Sequence, residues 1–169
     1  IVATTAVGSL RKEIGRGDLA ILDQFIDFTR HRQITFYDQF EPHRPLHVSM
    51  ANPFSTELRE LLIQACGNLE YPFHKQATVV TIEGPRFSTR AESHMFRAWG
   101  ADVINMSIAP ECALANEAGI PYAAVAMSTD YDCWKEDEEP VTWEAVLETF
   151  SHNAEKVKTL LLKIIPMIR

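Results

Sequence analysis

Two aspartates, separated by one residue, stand directly after an apolar run. Of all the side chains in the sequence, this pair is the strongest candidate for chemistry. Asp130 and Asp132 follow the run Tyr122–Met127, which is typical of a buried strand. If the chain stays extended there, both carboxylates project to the same side of the strand. Such a pair could bind a divalent cation, act as an acid and a base, or accept hydrogen bonds from a heterocycle. An Asx turn that closes the strand is the structural alternative.

A second candidate region begins where another apolar run is broken. The run Ala77–Ile82 ends before Gly84 and Pro85, which interrupt a strand. Thr89 followed three residues later by Glu92 is a capping-box pattern, so a helix is predicted to start there. The loop between strand and helix then lies at the carboxyl end of a strand, where open α/β sheets bind ligands.

That loop carries an aromatic ring, a hydroxyl and a guanidinium together. Arg86, Phe87 and Ser88 would suit a flat ligand with polar edges, close to an anion. The structural alternative is that Arg86 pairs with Glu83, Phe87 packs and Ser88 helps to cap the helix. The loop by itself leaves both interpretations open.

Two further strand ends offer hydroxyl groups. Thr4–Ser9 surrounds a glycine with hydroxyls and backbone N–H groups, which can cradle an anion after a first strand. It lacks the glycine spacing of Walker or dinucleotide-binding loops, and a plain turn is the alternative. Asn105–Ser107 stands at the end of a later strand and offers a hydroxyl beside a thioether. Taken together, the strand ends predict a single cleft for a small polar ligand.

Histidine and cysteine spacing does not favour a metal site. His43 and His47 are four residues apart, but Pro45 between them would break a helix that put them on one face. The 3 cysteines are odd in number and lack metal-binding spacing, which indicates free thiols in a reducing compartment. We therefore expect a cytoplasmic protein without a metal.

Length and charge limit the number of domains and the kinds of partner that the protein can have. The 169 residues fit one domain, 1–169, and the net charge of −7 argues against a nucleic-acid partner. No apolar run approaches a membrane span, so no membrane partner is expected. Because the strand-like run Ile1–Thr5 begins without an initiator Met, we expect either that the chain is a segment of a longer protein or that its numbering begins at a cut.

The elements that must position these side chains alternate between strands and helices, which predicts an α/β fold with a mostly parallel sheet. Residues 27–55 are expected to be irregular and to carry function or meet a partner. The predicted strands are Ile1–Thr5, Asp18–Leu22, Ala77–Ile82, Ala101–Met106 and Tyr122–Ser128. The predicted helices run from Leu58 to a stop at Gly67, from Arg90 to Trp99, from Pro110 to Ala118, and from Trp143, with Thr142 as N-cap, to the C-terminus.

Several blocks together resemble the S-methyl-5′-thioadenosine phosphorylases, a family in the trimeric branch of the purine nucleoside phosphorylases. The blocks are Thr4–Leu10, Gly17–Asp18, Asp23–Asp27, Glu83–Ser93, Ala101–Met106 and Thr129–Asp132. The resemblance runs end to end and implies a mixed or mostly parallel central sheet flanked by helices, incomplete at the N-terminus. The family's N-terminal Gly-rich loop and Arg-His pair, which contact phosphate, have no counterpart in this chain.

The resemblance also implies a reaction, in which 5′-methylthioadenosine and phosphate give adenine and 5-methylthioribose 1-phosphate. It implies that Asp130 is the general acid at purine N7 and that Asp132 accepts a hydrogen bond from the adenine 6-amino group. The other implied substrate-binding residues are Phe87, Ser88, Met106, Thr129 and Tyr131 around base and ribose, and His47, Trp143 and Val146 around the 5′ group. The implied phosphate-binding residues are Thr5, the backbone of Ala6, and Ser107, which stands where the family commonly has Thr. Trp143 is larger than the family's usual residue and leaves the preferred 5′ group open.

By the same resemblance the complete protein is expected to form a homotrimer, with phosphate as co-substrate and no cofactor. His47 would reach the 5′ pocket of a neighbouring subunit. Two alternatives remain at this point. One is a phosphorylase for 6-oxopurine nucleosides, whose members place Asn where Asp130 stands. The other is a module that binds a nucleoside without cleaving it. Arg86 is then expected to be structural and paired with Glu83.

Overall fold

The computed structural model describes residues 1–137 and 143–168, and within 143–152 it leaves the side chains of residues 143–146, 148–150 and 152 undescribed. Seven strands of the described part form one sheet, and they are β1 (Val2–Ser9), β2 (Leu19–Ile21), β3 (Gln24–Phe28), β4 (Phe73–His74), β5 (Thr78–Ile82), β6 (Val103–Asn105) and β7 (Ala123–Asp130). The helices that flank it are α1 (Thr56–Asn68), α2 (Arg90–Ala98), α3 (Ile108–Glu117) and α4 (Trp143–Ile164), and a short 3₁₀ helix follows at Ile165–Met167.

The sheet is mixed, with strand order β3-β5-β6-β1-β7-β2-β4. Strands β3, β5 and β6 run parallel to one another, and β1 runs antiparallel to β6. Strand β7 is parallel to β1, whereas β2 is antiparallel to β7 and parallel to β4. Strand direction therefore changes twice across the sheet, at the contact between β6 and β1 and again at the contact between β7 and β2.

Both faces of the sheet are covered, because β7 is buried along its whole length. Its residues Ala123, Val125 and Met127 pack with apolar residues of α1 and α4. The alternate residues Ala124 and Ala126 pack in a second cluster that includes residues of α3. A strand buried on both faces carries a continuous apolar run, which is how the sequence predicts it.

Side-chain caps fix where two helices begin. The Ser55 hydroxyl accepts from the backbone N–H of Leu58 at the start of α1. At α2 the capping box is complete, since Thr89 accepts from the N–H of Glu92 and Glu92 accepts from the N–H of Thr89. The capping-box prediction is thus confirmed. The predicted cap at Thr142 lies outside the described residues.

Several sequence predictions about elements are wrong in detail. Thr4–Ser9 is not a loop but the main part of β1, because the pairing of β1 with β7 and β6 continues to Ser9. Helix α1 does not stop at Gly67 but continues to Asn68. Helix α3 starts two residues before Pro110, at Ile108. Strands β3 and β4 are short edge elements that the apolar pattern did not predict.

Two features that the sequence disfavours, a membrane-spanning helix and a metal-binding cluster, are absent from the described part of the chain. Over residues 1–137 and 143–168, no helix is long and apolar enough to cross a membrane. Over the same ranges, no group of three or more His, Cys, Asp or Glu side chains is placed to hold a metal ion.

Candidate functional site

A cleft of about 230 Å³ opens where β1 and β6 stop pairing. The two antiparallel strands are paired only at Gly8 with Ile104 and at Ser9 with Val103, so they separate toward Thr5. The predicted site residues that line this cleft are Thr5, Ala6, Phe87, Ser88, Met106, Ser107, Thr129, Asp130 and Asp132.

This cleft does not lie at one common carboxyl edge of the sheet. Because β1 is antiparallel to β6 and parallel to β7, the chain enters Asp130 from the opposite direction to Asn105. The strand-end residues meet because Gly8 pairs with both Ile104 and Asp130 across β1. The predicted single cleft is present, but the change of strand direction creates it.

The remaining predicted site residues are placed differently. Within the described part of the chain, Tyr131 and His47 lie outside the cleft lining. The Tyr131 ring packs edge-on against Trp134 and under the Lys135 ammonium, 4.2 Å from its centroid. His47 is exposed and packs edge-on against Phe40. The side chains of Trp143 and Val146 lie outside the described residues.

The carboxylate pair is held by a turn and not by an extended strand. Strand β7 ends at Asp130, and Asp132 has a φ of 49°, so the expected alternation stops between them. Asp130 Oδ1 accepts from the backbone N–H of Asp132 at 2.7 Å. Both carboxylate oxygens of Asp132 lie 2.8 Å from the Ser88 hydroxyl. The chain is therefore not extended here, and the hydrogen bond from the Asp132 N–H to Asp130 matches the Asx turn that the sequence offered as the alternative. Both side chains still line the cleft.

A bulge in β7 turns two consecutive residues toward the cleft. Val7 pairs with Ser128 and Gly8 pairs with Asp130, so Thr129 is an extra residue on β7. Its hydroxyl lies 2.7 Å from Asp130 Oδ2 and 3.2 Å from the carbonyl oxygen of Val7. Thr129 and Asp130 both line the cleft for this reason, which a strict alternation of side chains would forbid.

Burial dominates the electrostatics of Asp130. The residue is only 8% exposed, and this burial raises the pKa of its carboxyl, with the nearby Asp132 charge adding to the rise. Hydrogen bonds from Thr129 and from the backbone of Asp132, and the charge of Arg16, oppose the increase in pKa. Asp130 therefore keeps its proton to a higher pH than an ordinary aspartate, as a general acid must.

Gly8 is needed for the carboxylates to come this close. A Cβ at Gly8 would lie 2.9 Å from Asp130 Oδ1, 3.1 Å from Ile104 Cγ2 and 3.3 Å from Asp132 Cβ. No side chain fits at these distances without a shift of its neighbours. A glycine inside a strand often marks such a close approach, and this signal was available in the sequence.

The loop that carries Phe87 and Ser88 is held by an ion pair of Arg86, but the partner is not the expected glutamate. Arg86 does not pair with Glu83, and its two terminal nitrogens instead bind the Glu92 carboxylate at 2.7 and 2.8 Å. Glu83 binds Arg32 at 3.0 Å and also accepts from the backbone N–H groups of Arg30 and His31. Because the Glu83 carboxylate is occupied by these three donors, Arg86 pairs instead with the capping-box glutamate Glu92.

Arg32 also anchors the residue predicted to contact the ribose. Its Nη1 donates to the Met106 carbonyl oxygen at 3.0 Å and its Nη2 donates to that of Glu83 at 2.7 Å. Gly84, with a φ of 67°, leaves room for the Met106 side chain, since a Cβ there would lie 2.6 Å from Met106 Sδ. The irregular segment after β3 therefore holds the backbone of two residues beside the cleft, Glu83 and Met106, through Arg32.

At the other end of the cleft, two hydroxyls and an amide lie together. Thr5 Oγ1 is 3.5 Å from the hydroxyl of Ser107, the N-cap residue of α3. Asn105 Nδ2 donates to Thr5 Oγ1 at 3.1 Å. Sequence reasoning did not predict Asn105 as a site residue, although a polar residue closing a buried strand is a visible signal. The other lining residues not predicted as site residues are Val7, Gly8, Ile82 and Ile104.

The chain is similar to known proteins along almost its whole length. The sequence profile of the Phosphorylase superfamily matches residues 1–166. An S-methyl-5′-thioadenosine phosphorylase of Xenopus tropicalis is 54% identical over 99% of this chain and 60% of its own length. The enzyme of the same name from Pyrococcus furiosus is 49% identical, with 99% and 63% covered.

Solved structures give the same picture. The methylthioadenosine phosphorylase from Schistosoma mansoni in complex with adenine superposes with a TM-score of 0.93 at 40% identity, covering 99% of this chain and 65% of that one. A mutant of the adenosine/methylthioadenosine phosphorylase from that organism, in complex with methylthioadenosine, has a TM-score of 0.91 at 39% identity, with 99% and 63% covered. The chain thus spans about 60% of the length of the curated relatives it matches.

Proposed function

The chain belongs to the phosphorylase superfamily, and on that premise we propose that the complete protein cleaves S-methyl-5′-thioadenosine with inorganic phosphate. The products would be adenine and 5-methylthioribose 1-phosphate. The observation that carries the proposal is the buried Asp130 carboxyl, whose pKa is raised by burial, in one cleft with the hydroxyls of Thr5 and Ser107. The names of the curated relatives support the same substrate.

In the proposed reaction a phosphate oxygen forms a bond to the ribose C1′ as the bond from C1′ to purine N9 breaks. The electron pair of that bond passes to the purine, and protonated Asp130 gives its proton to N7. Because negative charge on the purine develops only in the transition state, this proton transfer lowers the barrier more than it strengthens substrate binding. Asp130 regains a proton from solvent after adenine leaves.

Recognition of adenine is assigned to the turn that carries Asp132 and the loop that carries Phe87 and Ser88, which meet at the cleft. Asp132 would accept from the 6-amino group while the Ser88 hydroxyl holds its carboxylate in place. Phe87 is 44% exposed at the cleft wall and would pack against the purine face. The carboxylate of Asp132 would repel the carbonyl oxygen of a 6-oxopurine, which favours adenine over hypoxanthine.

The hydroxyl end of the cleft is assigned to phosphate. Thr5, the backbone of Ala6 and Ser107 would contact its oxygens, and all three line the cleft. By family resemblance an Arg-His pair from a preceding segment would add charge-assisted hydrogen bonds, which are stronger than hydroxyl contacts alone. Phosphate acts here as co-substrate, and the proposal requires no cofactor and no metal.

We also assign the exposed segment around His47 to a subunit contact in a homotrimer. Large apolar side chains exposed between β3 and α1 support this assignment, and they are Ile34, Phe36, Tyr37, Phe40, Leu46 and Val48. His47 would then reach a neighbour's 5′ pocket, next to Trp143 and Val146.

The trimer assignment can be tested by dilution. Dilution of the complete protein to monomer should weaken methylthioadenosine binding, and an unchanged affinity in a proven monomer would refute the assignment.

Purine and methionine salvage in the cytoplasm is the cellular setting that fits the proposed activity.

The test compares the complete encoded protein with the 169-residue chain on methylthioadenosine and inosine, with and without phosphate. We expect the complete protein to release adenine only when phosphate is present and to cleave inosine poorly. Equal cleavage of both nucleosides would favour the 6-oxopurine alternative. Tight nucleoside binding by the complete protein without any cleavage would overturn the proposal in favour of a binding module.

A further inference from the structure

A buried amide lies between the sheet and the hydroxyl end of the cleft. Asn105 closes β6 and is 6% exposed. Its Oδ1 lies 2.8 Å from the Thr81 hydroxyl and 3.4 Å from the backbone nitrogen of Ser107, and its Nδ2 lies 3.1 Å from Thr5 Oγ1. The network continues from Thr81 to the backbone N–H of Ala109, 3.1 Å away in the first turn of α3.

The donors and acceptors in this network have only one consistent direction. A backbone N–H can only donate, so the amide atom that faces Ser107 N must be the oxygen. Ala109 N–H likewise donates to the Thr81 oxygen, which leaves the Thr81 proton for Asn105 Oδ1. The Asn105 amide nitrogen is therefore turned toward Thr5, and it donates to the Thr5 oxygen.

This direction decides what Thr5 can offer to a ligand. Because a lone pair of the Thr5 oxygen is used by the Asn105 N–H, the Thr5 hydroxyl proton remains available as a donor. In the structure the neighbouring acceptors are the Ala6 carbonyl oxygen at 3.2 Å and the Ser107 oxygen at 3.5 Å, both longer than a good O–H···O contact. A phosphate oxygen in the cleft would be a stronger acceptor than either.

We propose that Asn105 is a positioning residue that fixes the Thr5 hydroxyl as a hydrogen-bond donor to the phosphate co-substrate. The inference rests on the proposed function, since it takes the hydroxyl end of the cleft as the phosphate site. The Thr81-to-Asn105 pair lies across β5 and β6 in register, so the sheet itself holds the amide in place. Polarisation along the chain from Ala109 N–H to Thr5 strengthens the final donor.

The substitution Asn105→Asp tests the direction with little change of shape. A carboxylate can still accept from Thr81 and from Ser107 N–H, but it can only accept from Thr5. The Thr5 hydroxyl would then donate to the new carboxylate and withdraw its proton from the phosphate. We expect the KM for phosphate to rise about tenfold or more, while the KM for methylthioadenosine changes less than twofold.

Asn116→Asp is the matched control in the complete protein. Asn116 lies on α3 outside the cleft lining, and its Nδ2 donates to the Pro53 and Cys112 carbonyl oxygens at 2.8 Å. The variant makes the same chemical change and costs partly buried hydrogen bonds, so it should lower the melting temperature without raising the phosphate KM. Thr81→Val provides a second route into the network if Asn105→Asp does not fold, and it should raise the phosphate KM by a smaller factor.

The outcomes separate this inference from the proposed function. Phosphate-dependent cleavage by the parent protein, with an unchanged phosphate KM in both Asn105→Asp and Thr81→Val, would overturn the positioning role alone. Equal rises in the phosphate and nucleoside KM values would also overturn it, because they indicate general distortion. If the parent binds inorganic phosphate neither in kinetics nor in calorimetry, the proposed function and this inference both fail.

Discussion

Asp130 and Glu92 are both hydrogen-bonded carboxyl groups, yet their pKa values move in opposite directions. Glu92 accepts from both terminal nitrogens of Arg86 and from the backbone N–H of Thr89, and its pKa is lowered to about 2. Asp130 also accepts two short hydrogen bonds, from Thr129 and from the backbone of Asp132, but its pKa is raised. The number of hydrogen bonds therefore does not decide the direction.

The difference lies in solvent exposure and in the charges nearby. The Glu92 side chain is 24% exposed and pairs bidentately with an arginine, so its charged form is stabilised. Asp130 is 8% exposed, and desolvation of the charged form outweighs its hydrogen bonds. One carboxyl group is a charged structural anchor for the loop, whereas the other keeps its proton to a higher pH than an ordinary aspartate.

The largest effect on this comparison is expected from Asp130→Asn. The amide is nearly isosteric but has no acidic proton for N7, so kcat/KM for methylthioadenosine should fall about 10²–10⁴-fold, the usual contribution of a general acid. Cleavage of inosine should decline less, because the new amide, which lies at N7, can also donate to the neighbouring 6-carbonyl oxygen. Steady-state rates on both nucleosides measure the change, and equal losses on both bases would contradict the adenine assignment.

A smaller loss is expected from Gly8→Ala, which leaves both carboxyl groups in the protein but displaces them. The new Cβ would lie 2.9 Å from Asp130 Oδ1, so the carboxylate pair must shift, and we expect kcat/KM to fall about tenfold or more. Gly67→Ala is the matched control, since its Cβ meets no described atom within 4 Å. Because Gly67 is the penultimate residue of α1, this replacement should stabilise the fold by less than the about 0.5–1 kcal/mol typical of a helix interior, without changing kcat/KM. Similar rates for the two variants would show that the close approach at Gly8 is unimportant.

The smallest effect is expected from Glu92→Gln, which keeps a capping side chain but removes the charge that Arg86 binds. Because Arg86 is 64% exposed, the free energy of unfolding should fall by only about 0.5–1 kcal/mol at neutral pH. A carboxyl group with a lowered pKa stabilises the fold above its ordinary pKa of 4.5. This contribution is lost as pH falls toward about 2. Urea unfolding at several pH values measures it, and a stability difference that persists unchanged at pH 2 would contradict the pairing.

The sequence predicts most of the fold because its central elements carry strong local patterns. The continuous apolar run of β7 and the capping box of α2 are visible in the residues themselves. Strand β4 has two residues and takes its structure from pairing with β2, so no periodicity could predict it. The same holds for Thr4–Ser9, where Gly8 indicates a turn locally but the neighbouring strands extend β1 through it.

The candidate site was predictable in its residue types but not in its geometry. Nine predicted residues line the cleft, yet the bulge at Thr129 and the positive φ of Asp132 set how the carboxyl groups meet. Both features arise from pairing between distant segments. Sequence spacing also does not encode that Arg86 pairs with Glu92 and not with Glu83. Nor does it encode that Asn105 lies between Thr81 and Thr5.

The most direct measurement of the central claim is the titration of the Asp130 carboxyl carbon by NMR in the complete protein, assigned with Asp130→Asn. A carboxyl group kept protonated by burial should titrate above the ordinary aspartate value of 3.8, and kcat/KM should fall as pH rises through the same midpoint. Asp130→Asn should remove both the resonance and that limb of the pH profile. A midpoint at or below 3.8 would contradict the role of Asp130 as the acid in this cleft.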